Sequence, residues 1–308
     1  MEQVEIREVG LRDGLQGVAT FMPTAAKQQW CDVELAAGVT EIEVSSLVSP
    51  KLLPQFADAD EMVRHGLSRP GLIVAVLIPN VRGAERGIAL GVHKLNYVLS
   101  VSEGHNLSNV RRSTAESVED FRRIVALCRA QPAGQRPILV AGLATSFGCS
   151  IEGAVSEDRV RALAAELADV GADELMLADT VGFANPPQVR RIVTAVRHEV
   201  EPMKVAAHFH DTRGLGIANV QAALEVGVRA FDASLAGLGG CPFAPGATGN
   251  VVTEDVVFLC EANGFCTGVD IGRLIEARAI LARELPEVAL LGNLAKAGLP
   301  KGFARLAA

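Results

Sequence analysis

The stretch Glu157–Ala178, EDRVRALAAELADVGADELMLA, decides how the rest of the chain is read. It opens as a helical pattern over Glu157–Gly171, and Gly171 supplies the left-handed backbone that a helix stop requires. The short apolar run Glu174–Ala178 then reads as a buried strand. The same unit recurs in both directions. Candidate strands are Val4–Val9, Glu41–Ser45, Leu72–Ile78, Lys94–Ser100, Ile138–Ala144, Glu174–Ala178, Val205–His210 and Ala230–Ser234. Helical stretches between them include Ala25–Ala37, Ala84–Gly91, Ser117–Arg129, Pro187–Glu199 and Leu215–Gly227. Gly38, Gly91 and Gly227 punctuate helix and strand as Gly171 does. Eight such alternations point to a TIM-type (β/α)8 barrel rather than a sandwich or helical bundle. A doubly wound open sheet is the competing architecture, because periodicity alone does not show closure. Residues from about 251 onward read as a short helical C-terminal appendage, and one domain over residues 1–308 is the expectation.

Composition supports a globular chain. Of 308 residues 49 % are hydrophobic and 21 % charged, too apolar for disorder and too sparsely charged for a coiled coil. Lys and Arg number 29 against 36 Asp and Glu, a net charge of −7 that argues against a nucleic-acid-binding surface. With eleven Phe, one Trp and one Tyr, a stacking platform for single-stranded bases has little to build on. The six cysteines contain no C-x-x-C pair, so zinc-ribbon and thioredoxin-type sites lack support, and free thiols in a reducing cytoplasm are expected. The N-terminal residues hold no apolar signal core and no long apolar run follows, which predicts a cytoplasmic chain without a membrane partner.

In a barrel, chemistry sits at the C-terminal ends of the strands and in the loops after them. His208 and His210, in AAHFHD (Ala206–Asp211), are two residues apart on the seventh strand and share a face, an arrangement suited to a divalent metal. Read blandly, one histidine lines the barrel and the other bonds to a loop. The first strand ends in VGLRDGLQ (Val9–Gln16), placing Arg12 and Asp13 on its loop. Closure of the eighth strand on the first would let Asp13 meet both histidines, with Arg12 as a fixed positive charge for a substrate oxygen or an enolate. The alternative is a surface Arg–Asp pair in a turn. Glu43 on the second strand and Asp179 after the sixth each need a partner if they point inward, Arg12 being the candidate for Glu43. Either acid could orient Arg12, hold a water or act as a base. Finally, GLGGCPFAPGATGN (Gly237–Asn250) has five glycines in fourteen positions, a mobile loop suited to covering a substrate, with Cys241 as its reactive group. Asn250 at its end could bring a carbonyl oxygen to the metal. Neither the P-loop nor the dinucleotide register is present. Cys31 and Cys128 read as packing residues and Cys149 as a residue that lines the site. His93, His105 and His198 read as solvated or capping.

These motifs, together with IEVSSLVSPK (Ile42–Lys51), GCSIEG (Gly148–Gly153) and DTVG (Asp179–Gly182), resemble the 3-hydroxy-3-methylglutaryl-CoA lyase family within the metal-dependent lyase and Claisen-condensing barrels. The resemblance spans nearly the whole chain, and the cysteine loop is its most specific mark. It implies that Asp13, His208, His210 and Asn250 coordinate a divalent cation, Mg²⁺ or Mn²⁺. Arg12 would stabilise the enolate, Glu43 support the site, Asp179 take part in catalysis and Cys241 donate a proton. As partners it implies an acyl-CoA thioester and further copies of the chain in a homo-oligomer, a dimer or larger. The implied reaction is retro-Claisen cleavage of 3-hydroxy-3-methylglutaryl-CoA to acetoacetate and acetyl-CoA. A lyase for another 3-hydroxyacyl-CoA, such as citramalyl-CoA, is the nearest alternative; a condensing synthase and a non-catalytic metal-binding barrel are more distant ones. The sequence departs from the animal lyases at Gly17–Thr20, at Ala141–Ser146 and at Arg213, all near the expected pocket.

Overall fold

The computed structural model describes residues 1–239 and 249–303. Eight parallel strands, β1 (Glu5–Glu8), β2 (Glu41–Ser46), β3 (Ile73–Ile78), β4 (Lys94–Ser100), β5 (Ile138–Ala144), β6 (Glu174–Asp179), β7 (Lys204–Phe209) and β8 (Ala230–Ala233), pair in chain order. Closure comes from β1 pairing with β8, Glu5 beside Ala230 through Glu8 beside Ala233. The barrel is thus settled over the open sheet. Around it lie α1 (Thr24–Ala36), α2 (Ala59–Leu67), α3 (Val81–Leu90), α4 (Glu103–Val110), α5 (Thr114–Arg129), α6 (Glu157–Val170), α7 (Pro186–Glu199) and α8 (Gly216–Glu225). After β8 come α9 (Thr253–Ala262), α10 (Ile271–Glu284), which packs on α1 and α9, and the short α11 (Leu294–Ala297). They form the anticipated helical C-terminal part.

Helices α2 and α4 are not among the stretches named from sequence; the other differences lie at the ends of elements, where side chains rather than periodicity decide. Helix α3 starts three residues early because the Asn80 Oδ1 accepts the Gly83 N–H at 3.1 Å. Helix α5 does likewise through a reciprocal cap between Ser113 and Glu116. Strand β1 stops at Glu8, since the Val9 carbonyl accepts the N–H groups of Arg12, Asp13 and Gly14 and winds Gly10–Gly14 into a π-turn. Gly171, at φ +117°, takes the left-handed stop expected of it.

The outer faces of the strands and the inner faces of the helices form one large apolar core. The barrel interior differs. At its N-terminal end Arg7, Glu41, Lys94 and Glu174, from four strands, form a buried ionic layer. Lys94 Nζ donates to both Glu41 carboxylate oxygens at 2.7 Å, and Arg7 makes a two-point contact with Glu174. Two cations face two anions, so the layer is neutral and internally hydrogen-bonded, as buried charge must be. Above it Val140, Met176, Ala206 and Ala230 make a small apolar floor. The polar groups of the C-terminal mouth stand over that floor. No helix among the described residues is long and apolar enough to cross a membrane.

Candidate metal and active site

The π-turn after β1 carries Arg12 and Asp13 into the mouth, and β7 delivers the histidines. His208 and His210 do share a face: their Nε2 atoms are 3.1 Å apart. The Asp13 Oδ2 lies 3.5 Å from the Nε2 of His210 and 3.9 Å from that of His208, so the three side chains form a group able to hold a metal ion. Asn250 is brought in by backbone pairing. Its segment runs beside the end of β7, where His210 and Asn250 form an antiparallel bridge and the Val251 N–H reaches the Phe209 carbonyl at 3.1 Å. The Asn250 Nδ2 donates to Asp13 Oδ2 at 2.8 Å and to the Leu238 carbonyl at 3.1 Å, leaving its buried Oδ1 without a hydrogen-bond partner among the described residues. An orphaned amide oxygen, two imidazoles and a carboxylate are a fitting donor set for a divalent cation.

Arg12 is doubly engaged. Its Nη1 donates to Asp13 Oδ1 at 2.5 Å, and its Nε stands 3.5 Å from Glu43 Oε2. The Arg12–Asp13 pair therefore exists, but inside the mouth rather than on a surface turn. Asn96 completes Glu43 by donating to its Oε1 at 2.9 Å. Burial raises the Glu43 carboxyl above its ordinary value despite Arg12 and Asn96. Burial acts on Asp13 in the same sense, but Arg12 and the two histidines outweigh it and hold that carboxyl well below the usual range.

Asp179 ends β6. Its Oδ1 accepts the N–H groups of Phe183 at 2.8 Å and Ala184 at 3.2 Å, while its buried Oδ2 has no hydrogen-bond partner among the described residues. Burial pushes it up to about 6 against those two donors. The loop after it is braced by Arg213, whose Nη1 donates to the carbonyls of Val181 at 2.9 Å and Gly182 at 3.1 Å. The guanidinium stacks 4.4 Å from the Phe183 ring centre. The departure at Arg213 thus fastens the Asp179 loop.

Cys241 lies outside the described residues. Among the others, Cys31, Cys128, Cys149, Cys260 and Cys266 are free and buried. Burial raises the thiols of Cys31 and Cys260 to about 12 and that of Cys128 to about 11, in keeping with packing roles. Cys149 Sγ accepts the N–H groups of Ile151 and Glu152 and so shapes its own turn. His93 caps β3 by accepting the Val74 N–H, as a capping role requires. His105 is buried rather than solvated, with its Nδ1 2.7 Å from the Ser100 hydroxyl; proximity of α4 to the end of β4 buries it.

Sequence reasoning passed over Asp232. It sits in register with His208 on β8, and its Oδ2 is 3.2 Å from His208 Nδ1. Burial lowers the affinity of the imidazole for a proton, yet Asp232 and Asp13 reverse this and raise the His208 pKa. An acid inside the apolar strand AFDA was the available signal. A carboxylate on one ring nitrogen fixes the tautomer and aims the other nitrogen at a metal. Asp232→Asn, which keeps the shape and removes the charge, is expected to weaken Mn²⁺ binding by about 10–100-fold in an EPR titration. Unchanged binding would remove Asp232 from this role.

The mouth gathers Asp13 and Glu43 at the Arg12 guanidinium and Asp232 at His208, a local excess of acid that suits a cation. The HMGL-like family model matches residues 3–281. The (R)-citramalyl-CoA lyase of Chloroflexus aurantiacus is 41% identical over 95% of this chain and 95% of its own length. A hydroxymethylglutaryl-CoA lyase of Bacillus subtilis is 38% identical over 90% of this chain and 91% of its own length. The solved HMG-CoA lyase of Acinetobacter baumannii, in complex with coenzyme A and 3-methylmalate, superposes with a TM-score of 0.90 at 41% identity, covering 99% and 98% of the two chains. With that match along its length and a closed barrel to carry it, the chain belongs to the HMGL-like family of lyases.

Proposed function

We propose that the chain is a divalent-metal-dependent acyl-CoA lyase that cleaves 3-hydroxy-3-methylglutaryl-CoA to acetoacetate and acetyl-CoA. The convergence of Asp13, His208, His210 and the unpartnered Asn250 Oδ1 beside Arg12 supports this reading above all else. Asp13, His208, His210 and Asn250 would hold Mg²⁺ or Mn²⁺, which when bound would lower the pKa of the substrate's tertiary hydroxyl and orient its carboxylate. Arg12 presents a fixed cation to the thioester oxygen on which enolate charge develops as the carbon–carbon bond breaks. Glu43 and Asn96 keep that guanidinium in place. Asp179, poised at about 6 with one oxygen unengaged among the described residues, can take the hydroxyl proton near neutral pH. The electron pair of the broken bond becomes the enolate, and the Cys241 thiol is assigned the proton that converts it to acetyl-CoA. That assignment rests on the glycine-rich motif. The acyl-CoA partner follows from the same reading, and the free described thiols support a reducing, cytoplasmic setting.

A second reading, (R)-citramalyl-CoA as substrate, is favoured by the 41% identical relative from Chloroflexus aurantiacus. The same residues would act, and pyruvate would replace acetoacetate as the keto product. The deciding measurement is acetyl-CoA release by the Mn²⁺-loaded chain from each thioester, with the keto acid identified. Cleavage of the methylglutaryl thioester with the higher kcat/KM is expected. A preference for citramalyl-CoA of more than about tenfold, near 1.4 kcal/mol, moves the assignment to the second substrate. Inactivity on both sinks the lyase proposal for these substrates.

A further inference from the structure

Beneath the mouth, on the outer side of β1, lies a buried acid cluster for which the proposed reaction has no use. Glu8, Glu34 and Glu254 come from β1, α1 and α9 and are all fully buried. Glu8 takes three of the roughly four donors that a carboxylate can accept. Its Oε1 accepts the Gly10 N–H at 2.6 Å and the Leu235 N–H at 3.0 Å, and its Oε2 accepts the Thr253 hydroxyl at 2.8 Å. Glu254 accepts the Ala236 N–H at 3.1 Å and pairs with Arg278 at 2.5 Å. Two glutamates therefore hold the root of the loop that carries Arg12 and Asp13 and the first residues after β8. That second segment runs on to Leu238, whose carbonyl receives the Asn250 amide.

Glu34 stands against Glu8 and differs from it. Taken as a carboxylate, neither of its oxygens has a hydrogen-bond partner of good geometry among the described residues; the Trp30 indole N–H, also left without one, favours the charged form, but less than burial and Glu8 oppose it. A lone buried carboxylate beside two others, with Arg278 already on Glu254, is energetically untenable. Two acceptor-only groups that face each other are reconciled by one proton between them. We propose that Glu34 is a neutral acid that donates to the Glu8 carboxylate, and that this one-proton pair is a positioning device for the loops carrying Arg12, Asp13 and Asn250. The local packing leaves no slack for it to move. A Cβ at Gly10 would lie 2.4 Å from Glu8 Oε1 and 2.6 Å from the Trp30 ring. Burial, followed by the charge of Glu8, lifts Glu34 well above its ordinary range, in keeping with a retained proton.

The test uses the full chain with Glu34→Gln, which can still donate to Glu8, and Glu34→Leu, which fills similar space and cannot. Infrared difference spectra at mildly alkaline pH should show a protonated-carboxyl C=O band in the wild type that is lost in E34Q. Amide exchange at Gly10–Gly14 and Leu235–Leu238 should remain near wild type in E34Q and quicken by about tenfold in E34L. Cleavage should follow the same order, with kcat down by about tenfold in E34L, restored in E34Q, and KM little changed. The kcat readout rests on the proposed lyase function; the infrared and exchange readouts do not, so failure of that function is distinguishable from failure of the acid pair. Absence of the band, or E34L matching the wild type in exchange, overturns the inference.

Discussion

His208→Ala is expected to strip divalent metal from the purified chain and to reduce cleavage by at least about a thousandfold at limiting Mn²⁺. The imidazole is central to the donor set: its Nε2 faces His210 Nε2 at 3.1 Å and Asp13 at 3.9 Å, while Asp232 holds the opposite nitrogen. Alanine removes a metal ligand, and it also leaves the Asp232 carboxylate buried without the imidazole it pairs with. Loss of an outer-shell partner costs about 10–100-fold in metal affinity, so loss of a ligand should exceed that range. Metal content by atomic emission and Mn²⁺ affinity by EPR give the answer without reference to activity. Wild-type occupancy in the variant would refute the ligand assignment.

Arg12→Gln is expected to lower kcat by about 10²–10³-fold, near 3–4 kcal/mol of transition-state stabilisation, with a smaller change in KM. The guanidinium is the fixed cation among Asp13, Glu43 and the histidines, and it is anchored on two sides at once. Glutamine can still hydrogen-bond but brings no charge to a developing enolate. Lysine should rescue poorly, because one ammonium cannot span Asp13 and Glu43 as the planar fork does. Neutralising Arg12 also removes the main opposition to burial at Asp13, so the Asp13 carboxyl should move up toward its ordinary value. Steady-state kinetics with the substrate that wins the thioester comparison checks the rate. A kcat within threefold of wild type, roughly 0.6 kcal/mol, would exclude Arg12 from transition-state stabilisation.

Much of this was readable from local pattern. The helix-to-strand unit at Glu157–Ala178 reappears as α6 and β6, and every candidate strand is found with its ends shifted by no more than a residue or so. Period-two alternation correctly set His208 and His210 on one face, because a strand places alternate side chains together whatever surrounds it. Arg12 and Asp13 were legible as the loop after β1. Helix starts at Val81 and Thr114 were missed because caps at Asn80 and Ser113 act through single side chains that periodicity does not register.

The sequence by itself determined the alternation, the helix stops and the residue types gathered at strand ends, since these depend on neighbours a few positions away. Only the tertiary structure decided closure, which brings β8 against β1 and so Asp13 to the histidines. It also decided which acids have partners. Arg7 meets Glu174 across 167 positions, Asp232 meets His208 across 24, and Glu34 is set against Glu8 with no hydrogen bond of good geometry among the described residues. The physical reason is that burial and pairing of a charge are properties of the space around it. That space is made by strands and helices far apart in the chain, whose stagger no local pattern encodes.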